Sequence, residues 1–170
     1  MTRKAAIGIL LSLSLGMTAG CGAEKPTPPR SLCGVKVPTS AVAALLPEEG
    51  EEVDVEKMES DLAPHACSVY VNDRYYFSVL HDPERPDFSL SRLNYPPTSP
   101  NTYEGKLGIK PLKSISIATC QEGSPPVYGM VSLSPQEANG LYGNSESKME
   151  EFMNAYMPAL QKHYGCKTSR

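Results

Sequence analysis

The side chains able to do chemistry in this chain of 170 residues are few and widely spaced. Five cysteines stand at positions 21, 33, 67, 120 and 166. None forms a Cys-x-x-Cys pair, so neither a zinc knuckle nor a thioredoxin-like redox pair is expected. His65, His81 and His163 lie far apart along the chain, and no His-x-x-x-His would set two imidazoles on one helical face. No metal is expected. Eight acids fall between Glu48 and Asp61. Calcium loops need oxygen ligands at fixed spacing and a turn glycine, as in D-x-[DN]-x-[DN]-G, and that pattern is missing. The run reads as a solvated acidic loop with a short strand at Val53–Val55. No phosphate-cradling glycine loop, dinucleotide fingerprint or Gly-x-Ser-x-Gly elbow occurs either, so nucleotide and hydrolase chemistry lack their usual devices. The expectation is a non-enzyme without a cofactor. The stretch to test first as a contact surface is Tyr95 to Tyr103 with Arg92, because loops carry much binding function and aromatics with Arg are enriched at interface hot spots; the weightier alternative is a proline-stiffened loop whose tyrosines cover the core edge.

The N-terminus sets the compartment. Thr2-Arg3-Lys4 is a short positive start, Ala5 to Leu15 is apolar apart from Ser12 and Ser14, and Thr18-Ala19-Gly20 steps down to small residues. That is the order of a secretory signal peptide, and the apolar run falls short of the roughly 20 residues a spanning helix needs. A cysteine placed directly after the small residues resembles the lipobox of bacterial lipoproteins, although Thr18 stands where that family prefers leucine. The resemblance implies cleavage before Cys21, acylation of its thiol (diacylglyceryl, with palmitate-type chains), and anchorage on the outer face of the cell membrane.

Export makes the remaining cysteines an even set of four in an oxidising compartment, hence two disulfides with three possible connectivities. Pairing neighbours along the chain gives Cys33–Cys67 and Cys120–Cys166, the expected arrangement; the other two stay open. Sixteen basic residues stand against nineteen acidic ones. Arg3 and Lys4 belong to the leader, so the remaining 150 residues carry a net charge of −5. An acidic chain without a basic cluster argues against nucleic acid and against electrostatic binding to anionic lipid. The partners expected are the membrane, through the lipid, and a protein or cell-envelope component.

The chain divides into a signal peptide (1–20), a lipidated cysteine and proline-rich tether (21–32), an α+β domain (33–166) and a short tail (167–170). The tether, if polyproline-like at ~3.1 Å per residue, reaches about 34 Å and would hold the domain clear of the headgroups. A short helix follows Pro38, capped by Thr39 or Ser40 and stopped by Pro47. Cys67–Val71 and Arg74–Leu80, rich in β-branched and aromatic residues and separated by Asn72-Asp73, predict a β-hairpin. Phe88–Leu93 alternates like a strand, Leu107–Leu112 reads as an edge strand, and Ser114–Cys120 with Val127–Leu133 as an antiparallel pair in which Gly129 marks a bulge or a close approach. A helix over 147–164 is predicted from the capping box Ser147-x-x-Glu150 and the stripe Met149, Phe152, Met153, Tyr156 and Leu160, with Pro158 kinking or dividing it. The fold expected is a single α+β domain: an antiparallel sheet of about five strands, a short N-terminal helix, and a long C-terminal helix covering one face. A Mog1/PsbP-like topology is one candidate, by fold analogy alone.

Two further resemblances bear on function. Ser145-Glu-Ser-Lys148 resembles the Ser-x-x-Lys of penicillin-binding proteins, and Lys167-Thr168-Ser169 resembles their Lys-Thr-Gly; the final glycine is missing, and helix capping is the better account. Cys33, Ala41–Leu46 and Cys67–Val71 are similar to features of small actinobacterial lipoproteins of unknown function, which implies a disulfide-linked α+β domain and no activity. Three readings follow: a lipid-anchored extracytoplasmic binding or interaction module, first; a small-molecule carrier or sensor with a cavity between sheet and C-terminal helix; and a cell-envelope hydrolase whose serine meets His65 or His81 only in the fold.

Overall fold

The computed structural model describes residues 24–58, 64–83, 90–121, 124–136 and 144–167. The leader and Cys21 lie outside the described residues, as do Glu59, Asp61, Phe88 and the last three residues of the tail. The chain forms β1 (Ser31–Leu32), β2 (Val35–Lys36), α1 (Thr39–Ala43), β3 (Val53–Lys57), β4 (Ala66–Val71), β5 (Arg74–Asp82), β6 (Pro97–Thr98), β7 (Gly105–Lys110), β8 (Lys113–Ala118), β9 (Val127–Leu133) and α2 (Ser145–His163).

The local chemistry of the turns builds the sheet. Asn72 and Asp73 adopt φ 49° and 62°, the two left-handed positions that close a tight hairpin between β4 and β5. Cys33 and Gly34 do the same at φ 51° and 86° between β1 and β2. The main sheet has seven strands in the order β3-β4-β5-β9-β8-β7-β6, with every neighbouring pair antiparallel. It consists of two meanders. The first, β3 to β5, runs inward from one edge; the second, β6 to β9, runs inward from the other, and β5 meets β9 at the centre.

The expectation of about five strands is therefore corrected to seven, plus the separate β1–β2 pair. The outermost strands are short edges, of which β3 extends the strand expected at Val53–Val55. β3 carries Asp54, Glu56 and Lys57, and β6 begins with Pro97; charge and proline are tolerated where one side of a strand lacks a partner. β6 displaces β7 from the edge it was expected to form. The strand expected over Phe88–Leu93 is a turn where it is described: Asn94 N–H donates to the Ser91 carbonyl at 3.1 Å and Tyr95 N–H to Leu90 at 2.9 Å.

α2 lies on β7, β8 and β9. Its predicted stripe of Met149, Phe152, Met153, Tyr156 and Leu160 is fully buried, with Met157 added to it. On the sheet surface beneath, the small residues Ser114, Ser116, Ala118 and Gly129 are buried among Leu107, Val127 and Val131. A Cβ placed on Gly129 would stand 2.6 Å from Met157 Sδ, so this glycine marks a close approach. Ile115 points the other way, into a second cluster with Leu90 and Tyr95 on the opposite face of the sheet.

Two helix details differ from expectation. α2 begins at Ser145, after Asn144, without a side-chain cap bond, so Ser147 lies inside the helix and not at its cap. α1 likewise follows Pro38 with no side-chain cap. α2 is also continuous through Pro158. Proline has no N–H to give the carbonyl four residues back, which here belongs to Asn154. That carbonyl instead accepts the hydroxyl of Thr102, while Asn154 Oδ1 accepts the Asn101 N–H at 3.0 Å. The loop before β7 thus supplies the bond that Pro158 removes.

Both disulfides follow the expected pairing. Cys33–Cys67 ties the β1–β2 turn to β4, and Cys120–Cys166 ties the end of β8 to the end of α2, with Cα separations of 5.4 and 5.3 Å. The tether is shorter than the sequence suggested. The Glu24 carbonyl accepts the Gly50 N–H at 2.9 Å, Pro26 is buried, and Leu32 is fully inside the core. Leu32 and Pro26 find apolar partners here, so residues 24–32 lie along the body and do not stand away from it.

Candidate functional site

The surface expected at Arg92, Tyr95 and Tyr103 takes a different form. Arg92 is exposed, but Tyr95 is 7% and Tyr103 4% exposed, and the two rings belong to separate clusters. Tyr95 packs with Leu90 and Ile115, with Lys110 Nζ 4.3 Å above its ring; burial pushes its phenol pKa up. Tyr103 hydrogen-bonds Ser116, whose hydroxyl donates to the Lys106 carbonyl at 3.1 Å. Burial pushes the Tyr103 phenol up to about 12. The exposed-patch reading gives way to the core-edge one: these tyrosines pack into the core on the two sides of β8. Ser145, the serine of Ser-x-x-Lys, is buried at the start of α2.

The three histidines, distant in sequence, converge. His65 precedes β4 and His81 ends β5, with His81 N–H donating to the His65 carbonyl at 3.1 Å. Their rings stack with centroids 5.2 Å apart and an interplanar angle of 11°. His163, at the end of α2, stands 6.0 Å from His81. Tyr164 closes the group, its hydroxyl 2.7 Å from His81 Nδ1, while His81 Nε2 lies 3.3 Å from the Cys33 carbonyl. A carbonyl only accepts, so Nε2 carries the proton and neutral Nδ1 accepts from Tyr164. His81 is 1% exposed. Loss of hydration lowers its pKa to about 4, helped by the neighbouring His65 and His163 and opposed by the Cys33 bond and Asp82. With both nitrogens engaged and the ring buried, His81 joins the β1–β2 turn, β5 and the end of α2. A base for hydrolysis needs a free nitrogen facing substrate. Among the described residues no group of histidine, cysteine and carboxylate side chains is arranged to hold a metal ion.

The carrier reading placed a methionine-lined cavity under α2. Met149, Met153 and Met157 are fully buried, and Met157 lies against Gly129. That contact is close-packed.

A cleft of about 740 Å³ opens elsewhere, where the N-terminal segment, the turn before β3 and the β4–β5 hairpin meet. Glu24, Glu48, Glu49 and Glu51 line it together with Arg74, over Val71 and Tyr76. Asn72 holds the acidic turn in place: its Oδ1 accepts the N–H groups of Glu51 and Glu52, each at 3.1 Å. Gly50 permits the close approach, since a Cβ there would meet Val71 Cγ1 at 2.4 Å. Four carboxylates against one guanidinium give the cleft a negative potential, which concentrates cations. The acidic run read as a solvated loop is, over Glu48–Glu51, the wall of a cleft. Sequence gave the acids but no sign that residue 24 would fold back to face them.

No family model, curated protein or solved structure matches this chain. The site must be read from its own geometry.

Proposed function

We propose that this chain is a lipid-anchored binding module on the outer face of the cell membrane, and that it takes a cationic ligand in the cleft lined by Glu24, Glu48, Glu49 and Glu51. The observation that carries the reading is the cleft itself, lined by four glutamates from two separate segments together with Arg74, Asn72, Val71 and Tyr76. Its volume lies in the range of ligand pockets, roughly 300–1,000 Å³. The protein acts by binding and not by catalysis, and nucleic acid, itself an anion, is not its partner. Two disulfides suit an oxidising compartment. Among the described residues no helix is long and apolar enough to cross a membrane; the attachment proposed is the lipid on Cys21. Two residues, Gly22 and Ala23, separate Cys21 from Glu24, whose carbonyl is bonded to the body; the three Cα–Cα steps span at most about 11 Å. The acylated protein is therefore held close to the headgroups, with the cleft on the membrane-proximal side.

Two experiments test this. Mass spectrometry of the membrane fraction should find acyl mass on Cys21, and Cys21→Ser should release the chain; equal membrane retention without acyl mass refutes the anchor. Spermine, used as a cationic probe, should bind with salt-sensitive affinity, and combining Glu48→Gln, Glu49→Gln and Glu51→Gln should weaken it about tenfold or more. Unchanged affinity in that variant refutes the cleft as the seat.

A further inference from the structure

The strand that follows the acidic cleft has an open side. β3 is the terminal strand of the main sheet among the described residues, and Asp54, Val55, Glu56 and Lys57 are all exposed. Its hydrogen-bond phase can be read from the bonds just beyond its ends. Asn72 N–H donates to the Glu52 carbonyl at 3.0 Å, and Met58 N–H to the Ala66 carbonyl at 2.9 Å. In an antiparallel pair, bonded and non-bonded residue pairs alternate. With Asp54 opposite Tyr70 and Glu56 opposite Ser68, these two residues direct their backbone groups toward β4. Val53, Val55 and Lys57 therefore turn their N–H and C=O groups to the open side.

The side chains set what can pair there. Val53 and Val55 share a face with Val71 and Val69, whereas Asp54 and Glu56 lie on the other face. A strand added antiparallel to β3 would meet Asp54 and Glu56 at its non-bonded positions, where Cα atoms approach to about 4.5 Å. A second copy of this chain does not fit. Registers centred on Asp54, Val55 or Glu56 would set Asp54 against Asp54, Asp54 against Glu56, or Glu56 against Glu56. Like charges directly opposite destabilise a sheet pair, and opposite charges favour it. The edge thus rejects itself and selects basic sequences, a combination of negative and positive specificity.

We infer that β3 is a docking edge for an extended segment of a partner protein that alternates Lys or Arg, facing Asp54 and Glu56, with apolar residues facing Val53 and Val55. The segment adds an eighth strand to the sheet. This inference rests on the binding-module reading above and gives it a partner class: the cleft beside Glu48–Glu51 takes the cationic residues that run on beyond the paired strand.

The test uses the full chain in detergent and a blocked peptide alternating lysine and valine, followed by amide hydrogen exchange. The expected result is slower exchange at Val53, Val55 and Lys57, with Asp54 and Glu56 little changed because they already bond β4. A matching glutamate–valine peptide should give no protection, and rising salt should weaken the lysine peptide. Val55→Pro deletes an outward N–H and no internal ladder bond, so it should reduce peptide affinity about tenfold while the unfolding midpoint holds. If that variant misfolds, Asp54→Lys combined with Glu56→Lys should reverse the preference toward the glutamate peptide. Equal binding of both peptides, or protection absent from β3, overturns the inference. Spermine binding in the cleft with β3 amides unmoved by the lysine peptide would leave the binding-module reading standing and remove only this edge.

Discussion

Acidification should destabilise this protein through one buried side chain. In the folded state His81 is neutral and its pKa lies at about 4, against 6.5 for a free histidine. Between those values the unfolded chain binds a proton that the folded chain refuses, so stability falls as pH drops through 6.5 and levels off below about 4. At roughly 1.4 kcal/mol per pH unit, the full loss is about 3 kcal/mol, a large share of the ~5–15 kcal/mol typical of a domain. His65 and His163 lie beside it and help to hold its pKa down. The assay is urea unfolding with the disulfides intact at several pH values from 7 to 4. Other groups titrate over this range, so the comparison that isolates His81 is with His81→Gln, which keeps a donor for the Cys33 carbonyl and an acceptor for Tyr164 without titrating. The wild-type curve should fall more steeply than that of the variant by most of this amount. Parallel curves would show that His81 does not hold its proton affinity down by burial, and the structural account of the cluster would fail.

Three other substitutions probe packing and polar satisfaction. Tyr156 is fully buried, and among the described residues its hydroxyl has no hydrogen-bond partner, while burial drives its phenol pKa far above the ordinary value; Tyr156→Phe should raise stability by about 1 kcal/mol in urea unfolding, since an unsatisfied buried group costs ~1–3 kcal/mol. Gly129→Ala should lower stability by about 1–3 kcal/mol, because its Cβ meets Met157 Sδ at 2.6 Å, and calorimetry should find that the same change costs less in a Met157→Ala background than in the wild type. Thr102→Val should cost about 1 kcal/mol by stranding the Asn154 carbonyl. Pro158→Ala returns an N–H to that carbonyl, so the double mutant should lose less than the two changes separately, a coupling that a double-mutant cycle measures.

Much of the framework was legible because it depends on short-range chemistry. Asn72-Asp73 announced the hairpin, and β9 coincides with the apolar run Val127–Leu133. The stripe of α2 was visible in its spacing, and neighbour pairing of the cysteines gave both disulfides. The misses depend on contacts between distant segments. His65 faces His81 because the β4–β5 ladder slips at Val69/Tyr70; a regular hairpin closed at Asn72-Asp73 would have set His65 opposite Leu80, and no local signal announces that slip. For Tyr95 and Tyr103 the surrounding prolines leave both a contact surface and a core-edge role open, and the core wins: Gly108 clears space for the first, with a Cβ there falling 2.6 Å from Tyr95 Cβ. Of the edge strands, β3 extends the short strand expected at Val53–Val55, whereas β6 is not legible because the proline that marks it as an edge also marks a loop.

The meeting of β5 and β9 at the middle of the sheet has a covalent consequence. Cys33–Cys67 lies wholly before the connection from β5 to β6, and Cys120–Cys166 wholly after it. Neither crosses the central seam. One cut in that connection would therefore yield two fragments, each internally cross-linked, that separate under denaturant without any reducing agent. What rejoins them is the β5–β9 ladder together with the packing of α2 on α1 and β2. The protein is a natural split pair: two stapled halves whose reassembly can be followed by mixing, and whose affinity for one another would measure the strength of the seam directly.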